Sequence, residues 1–321
     1  MKILWLTESP LQGKIPRDFP NMRTEMAWMC SSEGQHYHIG ELPNIQEVYD
    51  FAIIIIPKRE DLLRNMSTFN GFDLVGNMRR VADKIGWMQE GPVNYYQDYN
   101  VGIQVWWYSV LSELDFLMVH NERDRKYISG LFPNKQVFVN QSLMIEAALP
   151  SGPWHEESDR QGVMIGGNFV SWYGGFDSYM VATELSDEIY APTMGRMPES
   201  ESGLQGIKHI EYKTWQEWQT ILSQRKYGIH LMPTFAAGTF ALNCSRLGIP
   251  CIGYKGLDTQ ETLHPDLSVD LFDIDSARAL AAGLHDEKRY NEYSERTKTL
   301  YEQVYSEDNW KRRFFGFLEH I

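Results

Sequence analysis

The sequence predicts an α/β protein of two parallel-sheet domains, on three observations. Short apolar runs alternate with helical patterns along the chain, as βαβ units require. Ile53-Ile54-Ile55-Ile56 is a continuous apolar run, the mark of a strand covered on both faces. Leu149–Gln161, rich in Pro, Gly and charge, divides the 321 residues near their middle. It reads as a linker between two domains of ordinary size.

The first domain is expected over residues 1–150. Its strands are Lys2–Leu6, Phe51–Ile56, Ile85–Gln89, Phe116–Val119 and Gln136–Val139. Its helices are Met22–Cys30, Leu62–Asn70, Gly76–Lys84, Val101–Leu111 and Glu122–Leu131, the first capped by Asn21. The second domain is expected over residues 160–305. Its strands are Gly162–Ile165, Glu188–Ala191, Ile207–Tyr212, Tyr227–Met232, Cys251–Tyr254 and Val269–Phe272, with helices Trp215–Gln224 and Ser276–Leu284. Asp286–Ile321 reads as strongly helical, with aromatic stripes at Tyr290, Tyr293, Tyr301, Tyr305, Trp310 and Phe314.

Composition narrows the function. A net charge of −13 argues against a general nucleic-acid binder, although residues 1–150, with 14 basic and 18 acidic side chains, are near balance. Cys30, Cys244 and Cys251 make no disulfide framework and no metal-ligand spacing, which fits a reducing cytosol. Met1–Leu6 is too short for a signal segment and no run is long enough to span a bilayer. The expectation is a cytoplasmic protein with no membrane partner and no metal. There is no Walker A motif, no G-x-G-x-x-G after the first strand, no H-E-x-x-H and no G-x-S-x-G elbow.

Four constellations remain. In Thr234–Gly253 a small-residue loop, Ala236-Ala237-Gly238-Thr239, opens a short helix that Gly248 stops before Pro250. Such a helix start offers free N–H groups and a positive dipole end to a phosphate; a plain helix C-cap before a buried strand is the alternative. Gly166-Gly167-Asn168 begins a loop that runs through Trp172 to Gly174-Gly175 at a strand end. Glycines there suit close approach to a ligand, or a tight turn. Gly195-Arg196 follows another strand, where an arginine neutralises a diphosphate or is simply solvated. Glu90 closes the strand before Gly91-Pro92, placed to deprotonate a hydroxyl or to pair with a surface lysine; Asp98, among Tyr95, Tyr96 and Tyr99, is the second choice. Arg246, Lys255 and His120 are weaker candidates.

Thr234–Gly253, Gly166–Gly175 and Gly195-Arg196 together resemble the donor-side motifs of GT-B glycosyltransferases. The chain also looks like glycosyltransferase-like proteins of tailed phages, and distantly like phage enzymes that glycosylate hydroxymethylpyrimidines in DNA. The resemblance implies two Rossmann-like domains facing across a cleft, with a last helix, residues 306–321, crossing back to the first domain. It implies a nucleotide-sugar donor, a UDP-sugar, bound by Gly166, Gly167, Asn168, Arg196, Tyr212, Gly238, Thr239 and Asn243. It implies acceptor contacts at Gly13, Arg17, Arg23 and Trp172, and Glu90 or Asp98 as base. In one respect the chain departs from that pattern. Many retaining members carry two Glu where this chain has Phe235 and Asn243, which favours inversion. The specific acceptor reading is a hydroxymethylated pyrimidine in double-stranded DNA, served by Arg17, Arg23, Lys58, Arg59, Arg79, Arg80 and Lys84. A glycan or small-molecule acceptor, and a non-catalytic sugar-nucleotide binder, are the rivals.

Overall fold

The computed structural model describes residues 1–67, 73–146, 159–193 and 206–321. They form two compact units. The first holds Met1–Arg17, Glu25–Gln141 and Trp310–Ile321; the second holds Asp18–Thr24 and Ser142–Asn309.

Unit 1 is built on β1 (Ile3–Thr7), β2 (Gly13–Lys14), β3 (Gln35–His38), β4 (Tyr49–Ile54), β5 (Ala82–Met88), β6 (Phe116–Val119) and β7 (Gln136–Val139). Their order in the sheet is β2-β3-β1-β4-β5-β6-β7, parallel except where β2 meets β3. The central strands are apolar on both faces, and β1 and β6 are buried along their whole length. The helices are α1 (Thr24–Ser31), α2 (Glu60–Ser67), α3 (Leu74–Val81), α4 (Val101–Glu113) and α5 (Glu122–Leu131). Side-chain caps start three of them: Asp73 accepts from the Gly76 N–H, Asn100 from Ile103 and Asn121 from Asp124. Each cap satisfies a helix donor that has no partner within the helix.

Unit 2 repeats the plan. Its strands are β8 (Val163–Ile165), β9 (Ile189–Pro192), β10 (Ile207–Ile210), β11 (Tyr227–His230), β12 (Cys251–Tyr254) and β13 (Ser268–Val269). They lie in the order β10-β9-β8-β11-β12-β13, all parallel. Its helices are α6 (Gly175–Ala182), α7 (Trp215–Ser223), α8 (Thr239–Arg246), α9 (Asp258–Leu263), α10 (Ile274–Gly283) and α11 (Glu287–Leu300). The last helix, α12 (Glu307–Leu318), contributes Trp310 onward to unit 1. There Trp310 Nε1 donates to Asn140 Oδ1 at 2.9 Å, Phe314 stacks on Trp5, and Phe317 stacks on Phe138 at 4.3 Å.

Several features differ from the sequence reading. The helix expected over Gly76–Lys84 stops at Val81, because Ala82 is already extended and pairs with Tyr49. Within the helical Asp286–Ile321 a π turn at Tyr301–Tyr305 and the extended Ser306 separate α11 from α12, which starts at Glu307. The helix after β1 starts at Thr24, so Asn21 is not its cap. Asn21 instead accepts a hydrogen bond from the Tyr212 hydroxyl, and Pro20 O accepts from the Trp215 N–H at 2.7 Å. Those bonds tie Asp18–Thr24 into unit 2, and unit 1 gives way to unit 2 after Gln141 rather than at residue 150.

Strand order reverses between β1 and β4 in unit 1 and between β8 and β11 in unit 2. In doubly wound sheets ligands bind beyond the carboxyl ends of the strands at such a reversal. Among the described residues no helix is long and apolar enough to cross a membrane.

Candidate active site

In unit 2 the reversal point is formed by the ends of β8 and β11 and the start of α8. Gly166, just past β8, donates to Ile229 O at 2.8 Å. A Cβ on Gly166 would stand 2.5 Å from His230 Cγ and 2.7 Å from Phe240 Cδ1. Glycine is therefore what lets β8, the end of β11 and the first turn of α8 close up. Gly238 takes φ +66° before α8, and a Cβ there would lie 2.0 Å from Thr259 Oγ1. No side chain caps α8, so its first-turn N–H groups are left for something else.

Three buried polar atoms stand around this helix start without a hydrogen-bond partner: His230 Nε2, Asn243 Oδ1 and Thr259 Oγ1. Asn243 is four residues on from Thr239, hence on the same side of α8. An unpaired buried polar atom costs about 1–3 kcal/mol, so a polar ligand at this helix start would find three groups to satisfy. Burial lowers the pKa of His230 to about 4, so its ring is neutral at pH 7.

The other donor-side candidates fare differently. Gly167, Gly174 and Gly175 are accounted for by internal packing: a Cβ would meet Tyr173, Leu231 O and Asn168 O respectively. Asn168 braces the loop, its amide donating to Thr193 O at 3.1 Å and its carbonyl accepting from the Val170 N–H. Tyr212 is exposed and bonded to Asn21. Arg246 is held by Glu146 at 3.6 Å and Lys255 by Asp270 at 2.9 Å. Arg196 lies outside the described residues. Trp172 is exposed, and its carbonyl accepts from the Thr234 hydroxyl at 2.6 Å.

In unit 1 the acidic candidate is built at the carboxyl end of β5. Gln89 fixes that end: its amide donates to Gly91 O and to Asp124 Oδ2, each at 2.7 Å, and its carbonyl accepts from the His120 N–H. Glu90 follows. Its Oε1 lies 3.6 Å from Lys58 Nζ, which stands 4.7 Å above the Tyr95 ring. The Tyr99 hydroxyl donates to Lys58 O at 2.7 Å. Trp87, Tyr95, Tyr96, Tyr99 and Trp107 wall the space beside Glu90, a cavity of about 40 Å³, room for a water or two. Burial pushes the Glu90 pKa up to about 7; Lys58 opposes the rise, and Glu25 and Glu8 add to it. Such a value suits a base at neutral pH.

Asp98 ends a short 3-10 turn and is exposed. His120 is buried against Trp28, and burial lowers its pKa to about 3. Gly13 sits in edge strand β2 with φ +91°, and Arg17 is an exposed residue of the same unit. Arg23, also exposed, belongs to unit 2, as does Trp172. His230 and Thr259 escaped the sequence reading. His230 was absorbed into a strand expected to run to Met232, although a histidine closing the apolar run Tyr227–Ile229 was a signal.

No family model matches the sequence, and no curated protein matches it. Solved structures do. Anabaena HepE in complex with UDP-glucose superposes with a TM-score of 0.70 at 9% identity, covering 100% of both chains. The fold is GT-B. Trehalose-6-phosphate synthase OtsA is similar at 12% identity and TM-score 0.62, over 88% of this chain and 74% of OtsA. TarM is similar at 11% identity and TM-score 0.60, over 84% of this chain; this chain spans 54% of TarM's length. Within the GT-B fold, unit 2 carries the uncapped helix start with its unpaired polar atoms, and unit 1 carries the half-buried carboxylate of Glu90.

Proposed function

We propose that this chain transfers a sugar from a UDP-sugar to a hydroxyl acceptor. The observation that carries the reading is the uncapped start of α8 behind Gly238, with His230 Nε2, Asn243 Oδ1 and Thr259 Oγ1 buried and unpaired around it. HepE, of the same fold, was solved with UDP-glucose. The α8 N–H groups take diphosphate oxygens, and the unpaired side chains take hydroxyl or phosphate groups of the donor. Arg196 supplies counter-charge as the diphosphate leaves. Glu90 takes the acceptor's hydroxyl proton while that oxygen bonds to the anomeric carbon and the bond from that carbon to the β-phosphate oxygen breaks. The products are glycoside, UDP and protonated Glu90, in a single displacement with inversion.

A glycan or small-molecule hydroxyl is better supported as acceptor than phage-type DNA. Four of the seven basic residues that would form a phosphate track are engaged within unit 1. Arg79 is paired with Asp115, Arg59 with Asp61 and Lys58 with Glu90. Arg80 donates to the carbonyls of Leu42, Pro43 and Ile45.

Calorimetric titration with UDP, UDP-glucose and GDP tests the donor site, and UDP release tests transfer. The acceptors are a panel of neutral oligosaccharides and duplex DNA carrying hydroxymethylcytosine. Saturable UDP binding that Arg196→Ala weakens, with acceptor-dependent release, is expected. Binding without turnover across the panel would leave a sugar-nucleotide binder. No binding of any nucleotide would overturn the reading.

A further inference from the structure

The cavity beside Glu90 is narrow. Its volume is about 40 Å³, room for one or two waters. Leu63, Trp87, Ile103 and Trp107 are buried and form its inner part. Ring contacts set the wall. Tyr96 stacks on Trp107 at 4.0 Å, Trp107 meets Trp87 edge-on at 5.6 Å, and Tyr95 meets Tyr99 edge-on at 5.5 Å. Rings packed in this way give way only at the loss of those contacts.

The same wall has few hydrogen bonds to give. The Tyr96 hydroxyl is bonded to that of Tyr127 at 2.8 Å, and the Tyr99 hydroxyl donates to Lys58 O. The Gln89 amide donates to Gly91 O and Asp124 Oδ2. The chief polar feature left to an entering group is the Glu90–Lys58 pair. Glu90 keeps 23% of its side chain exposed and Lys58 31%, so the pair stands where the cavity opens to solvent. Tyr95 lies under Lys58 Nζ, and Tyr99 is bonded to the Lys58 carbonyl; both are half-buried beside that opening.

Size and polarity together select the hydroxyl that reaches Glu90. A secondary hydroxyl on a pyranose brings ring carbons and neighbouring hydroxyls with it. The ring is too large for the cavity, and hydroxyls pressed against aromatic walls lose water without gaining partners. A primary hydroxyl brings one methylene, which packs on the rings while the rest of the sugar stays outside. On the transferase reading above, we propose that the acceptor is a saccharide with a hydroxymethyl group, glycosylated on its primary oxygen. In that step the primary O–H proton passes to Glu90 as the oxygen bonds to the anomeric carbon. The bond from that carbon to the β-phosphate oxygen breaks, and UDP leaves with its electron pair. The rings of Tyr95 and Tyr99 at the opening suit the C–H face of the sugar that stays outside.

Transfer from UDP-glucose by the full chain, with the product linkage read by NMR, tests it. The acceptors are the methyl glycosides of glucose, galactose and mannose, each beside its 6-deoxy analogue, and a serine peptide. Linkage through O6 is expected, with kcat/KM at least tenfold lower for the 6-deoxy partner of the best acceptor. Val93 lines the cavity and is half-buried, so Val93→Phe should fill the space and lower transfer tenfold or more with UDP affinity unchanged. The milder Val93→Ala should raise the share of product linked through secondary oxygens. A purely structural role for Val93 would change the yield and leave that share alone. Wild-type linkage through a secondary oxygen, equal rates for a glycoside and its 6-deoxy analogue, or preference for the serine peptide overturns the proposal and leaves the transferase standing. Binding of UDP-glucose with transfer to none of these acceptors overturns it as well. Failure to bind UDP removes the donor reading, and this proposal with it.

Discussion

Lys58 Nζ lies 3.6 Å from Glu90 Oε1 and 4.7 Å above the ring of Tyr95. The lysine draws the glutamate toward ionisation, while the aromatic wall desolvates it and drives it the other way. Desolvation wins, and the carboxyl titrates near 7 instead of near 4.5. One ammonium, on a residue whose carbonyl the Tyr99 hydroxyl holds, thus keeps a half-buried acid within reach of its basic form.

For catalysis, the rate of sugar transfer should rise with pH through about 7. Replacing Lys58 with Met removes the opposing cation, so the rising limb should move to higher pH. Glu90→Gln should lower kcat by roughly 10²–10⁴ with UDP affinity intact. A Glu90→Gln enzyme of wild-type rate would remove the base from this residue.

For stability the same group has the opposite sign. A carboxyl with a raised folded-state pKa adds stability below its unfolded value of 4.5, and that stability is lost as pH rises through about 7. Relative to the wild type, Glu90→Gln should therefore gain stability between pH 5 and pH 8. The gain is at most about 3 kcal/mol, at about 1.4 kcal/mol per pKa unit. Urea unfolding at both pH values reads the difference directly.

At the donor site, Thr259→Val keeps the shape and removes a buried, unpaired hydroxyl. The free protein should become more stable by about 1 kcal/mol, while UDP binding weakens about tenfold. Gly238→Ala is the contrast. Its φ of +66° and the nearby Thr259 hydroxyl forbid a Cβ, so both stability and UDP binding should fall. A stabilised Thr259→Val that binds UDP normally would show that the hydroxyl serves packing alone.

The sequence revealed the alternation of strands and helices because buried parallel strands are apolar on both faces, as at Ile53–Ile56. It did not reveal β3, since Gln35-His36-Tyr37-His38 carries no apolar pattern; its pairing with β1 makes it a strand. Gly166 and Gly238 were legible as special. The reason each is glycine was not, because the clashing partners, His230 and Thr259, are remote in sequence. Glu90 was legible as a strand-end acid. Its partner Lys58 was not, since it follows a different strand and becomes a neighbour only when β4 pairs with β5.

Packing of α12 gives a test within unit 1. Trp310 and Phe314 are both buried, with rings stacked at 4.6 Å and Phe314 continuing onto Trp5. Trp310→Phe would spare most of the stack and lose only the bond to Asn140, costing about 1 kcal/mol. Trp310→Ala should cost about 3–5 kcal/mol. Thermal unfolding of the two variants should separate in that order, and equal losses would place the stability in the hydrogen bond.

Four buried histidines set the acid limit of the fold. Burial is the largest cause in each: it lowers His36, His230 and His264 to about 4 and His120 to about 3. A histidine whose folded-state pKa lies below its unfolded value of 6.5 contributes stability above 6.5, and that stability is lost as pH falls toward the folded value. Each such group adds a slope of about 1.4 kcal/mol per pH unit between those limits. His264 is wired on both ring nitrogens. Nε2–H donates to Ala241 O at 3.0 Å, and Nδ1 accepts from the Cys251 N–H at 3.4 Å. A second proton on Nδ1 would face the Cys251 N–H, so protonation should break the contact between α8 and β12. Urea unfolding at pH 7, 6 and 5 should show stability falling steeply with acid, against the smaller rise that Glu90 supplies. His264→Gln should lose stability at pH 7 yet show a slope shallower by about one proton. A wild-type stability flat between pH 7 and 5 would mean that the unfolded chain takes up no protons there, and that the histidines are not held neutral.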